Sequence, residues 1–146
     1  MQPETLSVSD GILAMEEARF EENKRVNSER EILLALVPDK SEELKRAFKE
    51  ECSAISEKSH LKQFECEEPG PTIFYVNRVI DGNAVVALAF TLDLAVPRIL
   101  IEDHWNEREK SALGFAVSGS NVLFANRRSG VVLPELVVRL MMQITR

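Results

Sequence analysis

The chain has 146 residues, which predicts one domain that can bury roughly two thirds of its unfolded surface without a metal or a disulfide. Its 45% hydrophobic and 29% charged residues exclude a disordered chain. The net charge is −6, and the acidity lies in residues 1–70, which carry 17 acidic and 10 basic side chains. Nucleic acid binding usually needs a basic face, and no basic run in the chain is longer than Arg127-Arg128. We therefore expect no nucleic acid partner.

The N-terminal part of the chain is predicted to be helical. Residues 1–8 are expected to be flexible, and a helix can begin near Ser9 or Asp10, since both side chains are acceptable caps for the first turn. A capping-box pattern that starts at Ser28 allows a second helix to begin there. Pro38 is predicted to end this region, because the residue before a proline disfavours helical geometry. The pattern leaves open whether residues 9–37 pack on the rest of the chain or form an extended helical arm.

The charged stretch Glu16–Glu31 is compatible with a coiled-coil arm. Leu13, Phe20 and Leu34 follow a seven-residue spacing, but Asn27 falls on the same seam. A solvated helix face is therefore favoured over a coiled coil.

A further helix is predicted from Asp39 to about Lys62. One narrow apolar stripe, spaced by three or four residues, marks its buried side: Leu44, Phe48, Cys52 and Ile55. The segment Glu67–Pro71 contains two prolines around a glycine, and it is predicted to mark the change from helical to extended structure.

Extended structure is predicted for most of the second half of the chain. Five mainly antiparallel strands are expected at about 72–80, 84–94, 98–102, 112–117 and 121–126. Asp81-Gly82 is typical of a tight hairpin, because both residues tolerate positive φ. The uncharged run Ala84–Leu92 predicts a strand covered on both faces. Asp103–Lys110 is expected to be a loop or a short helix.

The last predicted helix covers about 134–145, with Pro134 at its first position. Apolar residues occupy most of its circumference, so an N-terminal helix or a second subunit must cover the side that the sheet leaves open. The candidate interface residues are Leu136, Leu140, Met141, Ile144, Leu33 and Leu36.

Together these elements predict a single α+β domain over residues 1–146. Their order is similar to that of small acidic secretion chaperones, which have an N-terminal helix, a split sheet and a C-terminal helix. Asp103–Lys110 is too short for the central dimerisation helix of those chaperones, and no residue motif assigns the chain to that family.

Candidate ligand-binding residues lie at two places. Arg127 and Arg128 precede the last helix, whose free amides together with two guanidinium groups suit a phosphate or carboxylate. Asp103 and His104 form the most enzyme-like pair, although neighbouring residues on an extended segment point to opposite sides. A solvated turn and a polar loop are the competing interpretations.

No metal site, cofactor or catalytic residue is predicted. The soft ligands are Cys52, His60, Cys66 and His104, and their spacing lacks the close pairs of zinc sites built from local chain. No G-x-S-x-G elbow presents a serine nucleophile.

The N-terminus lacks the basic and apolar regions of a signal peptide. The longest uncharged run, 111–126, is shorter than a bilayer span and contains a turn signal. We therefore expect a cytoplasmic, reducing location with two free thiols and no membrane contact.

Two functional hypotheses follow from these patterns. The favoured one is a non-enzymatic protein–protein interaction module, adaptor- or chaperone-like and dimeric, that binds another protein or itself. The alternative is a small-molecule-binding protein or a modest enzyme with a pocket between the sheet and the helices.

Overall fold

A computed structural model describes residues 8–59, 63–107, 109–126 and 129–145. Within these ranges the chain forms a long helix, an antiparallel sheet and a C-terminal helix, which confirms the predicted α+β class. The elements are α1 (Val8–Ser59), β1 (Phe64–Gly70), β2 (Ile73–Ile80), β3 (Asn83–Asp93), β4 (Arg98–Asp103), β5 (Glu109–Ser118), β6 (Asn121–Asn126), β7 (Ser129–Gly130) and α2 (Leu133–Thr145).

Helix α1 runs through 52 residues without a break, so the predicted end at Pro38 is wrong. Proline has no amide to donate to the carbonyl four residues earlier, and this costs about 3 kcal/mol in a helix interior. Val37 and Leu44, on either side of it, are almost fully buried, and their packing offsets that cost. The Ser28 hydroxyl donates to the Lys24 carbonyl instead of capping a new helix.

The sheet is a meander in which each strand pairs antiparallel with the next. It has seven strands in the described residues, and the predicted five omitted β1 and β7. Strand β1 covers most of the segment that was predicted to be a break. Pro69 and Gly70 are tolerated there because β1 is an edge strand and its register shifts between Glu67 and Gly70.

The Asp81-Gly82 hairpin between β2 and β3 is confirmed, with φ of 51° and 81° at the two residues. The prediction that β3 is covered on both faces holds for part of the strand. Four consecutive residues, Ala87–Phe90, are buried, whereas Asn83–Val85 are exposed. A bulge at Ala87 separates the two parts.

The core lies between one face of the sheet and both helices. Cross-strand neighbours Phe74, Phe90 and Ile101 point into it, and Phe48 of α1 packs against Phe90 in a tilted arrangement with ring centroids 5.0 Å apart. The opposite face carries mainly half-buried or exposed residues such as Glu102, although its cross-strand neighbour Ala89 is buried. Neither helix, over the residues described, is long and apolar enough to cross a membrane.

Candidate functional site

The first 29 residues of α1, residues 8–36, are here named the arm. Apart from Gly11 and Glu29, every residue from 8 to 31 is exposed. Burial then increases along the helix, and Val37 is the first residue with no exposed surface. At 1.5 Å per residue the arm is about 43 Å long. It follows that most of the arm has no cover from the described part of its own chain.

The arm nevertheless carries large apolar side chains. Val8 is 80% exposed, and further exposed members are Ile12, Leu13, Met15, Phe20, Val26 and Leu34. An isolated exposed apolar residue needs no explanation, but a series of them on one helix is unusual for a surface that only water covers.

Four of these residues lie on one continuous stripe of α1, along which the spacing alternates between four and three residues. The whole stripe consists of Val8, Ile12, Met15, Arg19, Glu22, Val26, Glu29 and Leu33. At 100° per residue this stripe lies on the same side of α1 as the buried residues Val37, Leu44 and Phe48. We name it the arm seam. It therefore continues the core-facing side of the helix beyond the end of the sheet.

Three charged residues, Arg19, Glu22 and Glu29, interrupt the arm seam. Arg25, beside the seam, is 2.5 Å from Glu22 and 3.2 Å from Glu29. The hydrogen bond from Arg25 lowers the pKa of Glu22, and the same contact raises the pKa of Arg25. Both acidic seam residues are thus held on the helix surface by one guanidinium.

Charge is distributed unevenly along the arm. Residues 8–22 contain five acidic and one basic side chain, whereas residues 23–36 contain three basic and two acidic side chains. The arm therefore has an acidic N-terminal half and a weakly basic C-terminal half.

The six predicted interface residues do not form an exposed surface. Leu136, Leu140, Met141 and Ile144 are all at most 4% exposed and belong to the core of their own chain. Leu33 and Leu36 are half-buried where the arm meets the body, which is the rest of the described chain from residue 37 onward. On α2 the exposed apolar residues are instead Val138 and Met142, at 49% and 56%.

The structure gives Asp103 a role within the β4–β5 turn. This 5% exposed carboxylate accepts hydrogen bonds from the Trp105 amide, the Asn106 amide and the Asn106 side chain. The Asn106 side chain also donates to the Gln143 carbonyl near the end of α2. The turn therefore fastens α2 to the sheet through the side chain of Asn106, which Asp103 holds in place.

His104 follows Asp103 in the chain, but its side chain takes no part in the hydrogen bonds that Asp103 accepts. Its Nε2 is 3.3 Å from a carboxylate oxygen of Glu102, two residues earlier, and its amide donates to Ala87. Arg127 and Arg128 lie outside the described residues. The structure therefore does not bring the four predicted ligand-binding residues into one described site.

Two adjoining depressions lie between β5 and α2. One, of about 260 Å³, is bordered by Gly130, Glu135 and Arg139, and the other, of about 240 Å³, is bordered by Asp103, Lys110 and Arg139. Each is smaller than the roughly 300 Å³ at which pockets for small molecules usually begin.

No family model, curated protein or solved structure matches the chain. In the ranges that the structure describes, no three His, Cys, Asp or Glu side chains gather as a metal site. His60, one of the four soft ligands in the sequence, lies outside these ranges.

The sequence suggested a possible coiled-coil arm, but its contact face was assigned to the seven-residue spacing of Leu13, Phe20 and Leu34 instead of the arm seam. The arm seam contains charged residues at three positions, which hid its apolar period. The signal that could have found it was its phase, because it is continuous with the stripe at Leu44 and Phe48.

Proposed function

We propose that this protein is a non-enzymatic protein-interaction module that forms a homodimer by antiparallel pairing of two arms. The observation that carries the proposal is the exposed arm seam, which continues the core-facing side of α1 past the edge of its own sheet. Such a module would act as an adaptor- or chaperone-like protein that holds two bodies at opposite ends of a helical pair.

The antiparallel arrangement follows from the order of residues in the arm seam. In antiparallel helix pairs each layer joins residues whose numbers have a constant sum. With a sum of 41, Val8 faces Leu33 of the second copy and Met15 faces Val26. The central layers then pair Arg19 with Glu22 of the second copy, twice by symmetry.

Charge favours this arrangement over a parallel one. A parallel pair in register would place Arg19 against Arg19 and Glu22 against Glu22. Like charges in contact cost free energy, and a polar pair inside an apolar seam is a known device for setting helix orientation. The antiparallel pair also lays the acidic half of each arm along the weakly basic half of the other.

Two symmetry-related layers of the proposed seam are imperfect. Ile12 faces Glu29 of the second copy, so an apolar side chain meets a carboxylate. Arg25 holds that carboxylate at 3.2 Å on its own helix, which keeps it at the surface while its methylene groups remain available for packing. We therefore expect a dimer of moderate affinity.

The arm can also bind another protein.

The alternative function is binding of a small molecule between β5 and α2. The charged side chains of Glu135 and Arg139, which border a depression there, support this alternative, but the small volumes of the depressions make it weaker than the homodimer proposal. We infer a reducing, intracellular setting, which is supported by the two free cysteines.

Sedimentation velocity of the full chain tests the dimer directly. At tens of micromolar the unmodified chain is expected to sediment at twice its mass of 16.5 kDa. Arg19→Glu places two carboxylates against two others and should weaken the dimer at least about tenfold. Adding Glu22→Arg to the same chain restores opposite charges, and the dimer should return.

Lys24→Glu is the matched control, because it makes the same charge change on the arm outside the seam. It should leave the sedimenting mass unchanged, while circular dichroism checks that all variants keep their helix content. A monomeric parent chain, or equal weakening by Lys24→Glu and Arg19→Glu, would overturn the antiparallel seam.

A further inference from the structure

Two cysteines from different elements lie in contact beneath the edge of the sheet. Cys52 on α1 is 5% exposed, and Cys66 on the edge strand β1 is half-buried. Their sulfur atoms are 3.7 Å apart. A disulfide requires about 2.05 Å, so the sulfurs must approach by less than 2 Å. Strand β1 pairs only with β2 among the described strands, which leaves room for that adjustment.

The two thiols have different surroundings. Hydrogen bonding with Cys52 lowers the pKa of Cys66, burial opposes this effect, and the ammonium group of Lys49 lowers the pKa further. The same hydrogen bond and burial raise the pKa of Cys52. Cys66 is also the more exposed of the two and borders the same depression as Lys49, so we expect it to ionise and react first while Cys52 stays protonated.

Solvent can reach the pair. An open depression of about 610 Å³ is bordered by both cysteines together with Lys49, Ser53, Glu57 and Phe64. A molecule as small as hydrogen peroxide can enter it and meet the sulfur of Cys66.

We propose that Cys52 and Cys66 are a peroxide-sensitive thiol pair that closes to a reversible disulfide between α1 and β1. The Cys66 thiolate attacks one oxygen of hydrogen peroxide, forming an S–O bond while the O–O bond breaks and hydroxide leaves. The Cys52 sulfur then attacks the Cys66 sulfur, the S–S bond forms, and the hydroxyl group leaves with the Cys52 proton as water. Two thiols lose two electrons in total, and the peroxide becomes water.

The disulfide would fasten the C-terminal end of α1 to the edge strand. It closes a short loop that contains residues 53–65, so it restricts the unfolded chain. For a loop of this length the melting temperature of the oxidised protein should rise by roughly 6 to 12 °C. This thiol pair does not depend on the proposed dimer, because neither cysteine belongs to the arm.

The test treats the reduced 146-residue chain with a small excess of hydrogen peroxide and measures its intact mass. The expected product has lost two hydrogen atoms, remains a single chain on a non-reducing gel, and regains its mass with dithiothreitol. Peptide mapping should join Cys52 to Cys66. Addition of oxygen to Cys66 without a disulfide, an intermolecular disulfide, or two unreactive thiols would each overturn the proposal.

Single variants separate the two roles. Cys52→Ser removes the second thiol, so Cys66 should stop at the sulfenic acid and be labelled by dimedone. Cys66→Ser should leave Cys52 at least about tenfold less reactive toward peroxide than Cys66 is in the first variant. Equal reactivity of the two variants would contradict the assignment of Cys66 as the attacking thiol.

Discussion

The replacement Phe48→Ala tests how α1 is held to the sheet. Phe48 has no exposed surface, its ring centroid is 5.0 Å from that of Phe90, and Phe90 is 5.8 Å from Phe74. Alanine at this position would leave a cavity between the helix and the centre of the sheet. Packing around it can relax only partly, because both aromatic neighbours belong to strands that are paired on both sides.

The expected loss is about 3 to 5 kcal/mol in the free energy of unfolding, which is the usual range for a buried phenylalanine. With a urea dependence of about 2 kcal/mol per molar, the unfolding midpoint should fall by roughly 2 M. Phe20→Ala on the same helix is the matched control. Phe20 is 67% exposed, so its removal should change the free energy by less than about 0.5 kcal/mol.

Urea unfolding followed by fluorescence is a suitable assay, since Trp105 is the single tryptophan and is part of the body. Both variants should be compared at one protein concentration, because a dimer makes the midpoint depend on concentration. A loss below about 1 kcal/mol for Phe48→Ala, or similar losses for both variants, would refute the placement of the core under residues 37–55.

Three further replacements have expected outcomes. Gly82→Ala should cost about 1 to 2 kcal/mol in chemical unfolding, because the hairpin holds residue 82 at a φ of 81°. Asp103→Ala should cost about 2 to 3 kcal/mol and shift Trp105 emission to longer wavelength, because the turn amides lose their buried acceptor. Hydrogen bonding to Lys49 lowers the pKa of Glu68 from 4.5, so the pair's contribution is present above that pH and disappears as the pH falls through the folded-state pKa. The stability difference between the parent chain and Glu68→Gln, about 0.5 kcal/mol at pH 7 for this exposed pair, should therefore shrink as the pH falls below 4.5 and vanish once Glu68 is protonated in the folded chain.

Controls separate these effects from general damage. Gly130→Ala adds a methyl carbon that would have no neighbouring atom within 4 Å, and Gly130 does not have a positive φ. The free energy of unfolding should therefore stay unchanged. Glu50→Gln removes an exposed carboxylate from α1 and should leave the pH dependence unchanged. A neutral Gly82→Ala, unshifted Trp105 emission in Asp103→Ala, or an unchanged pH dependence in Glu68→Gln would each contradict its prediction.

Local chemistry allowed the meander to be predicted where the turn and strand signals were strong. Asp81-Gly82 suits only a narrow set of turns, so its hairpin follows from two residues. Strand β1 was missed because its sequence is mainly polar and ends in Pro69-Gly70, and only its pairing with β2 makes it a strand. An edge strand tolerates proline and glycine at positions where a central strand would not, because one of its sides has no neighbouring strand to bond.

The errors in α1 have a different cause. Pro38 has a local penalty, and the sequence alone does not reveal the packing of Val37 and Leu44 that offsets it. The arm is exposed because the sheet covers only part of the length of α1. How far the sheet reaches along the helix depends on the whole fold, so local sequence patterns do not reveal it. The contact of Cys52 with Cys66 likewise depends on how the helix lies across β1, so cysteine spacing could not predict it.

Distances between spin labels test the antiparallel arm pair most directly. Glu17→Cys and Glu31→Cys would each be labelled in a chain that also carries Cys52→Ser and Cys66→Ser. In the antiparallel pair, position 17 faces position 24 and position 31 faces position 10, so the axial offsets between like labels are about 10 Å and about 32 Å. A clearly longer distance at position 31 than at position 17 is expected. Equal distances at the two positions, or no coupling between labels, would contradict the proposed dimer.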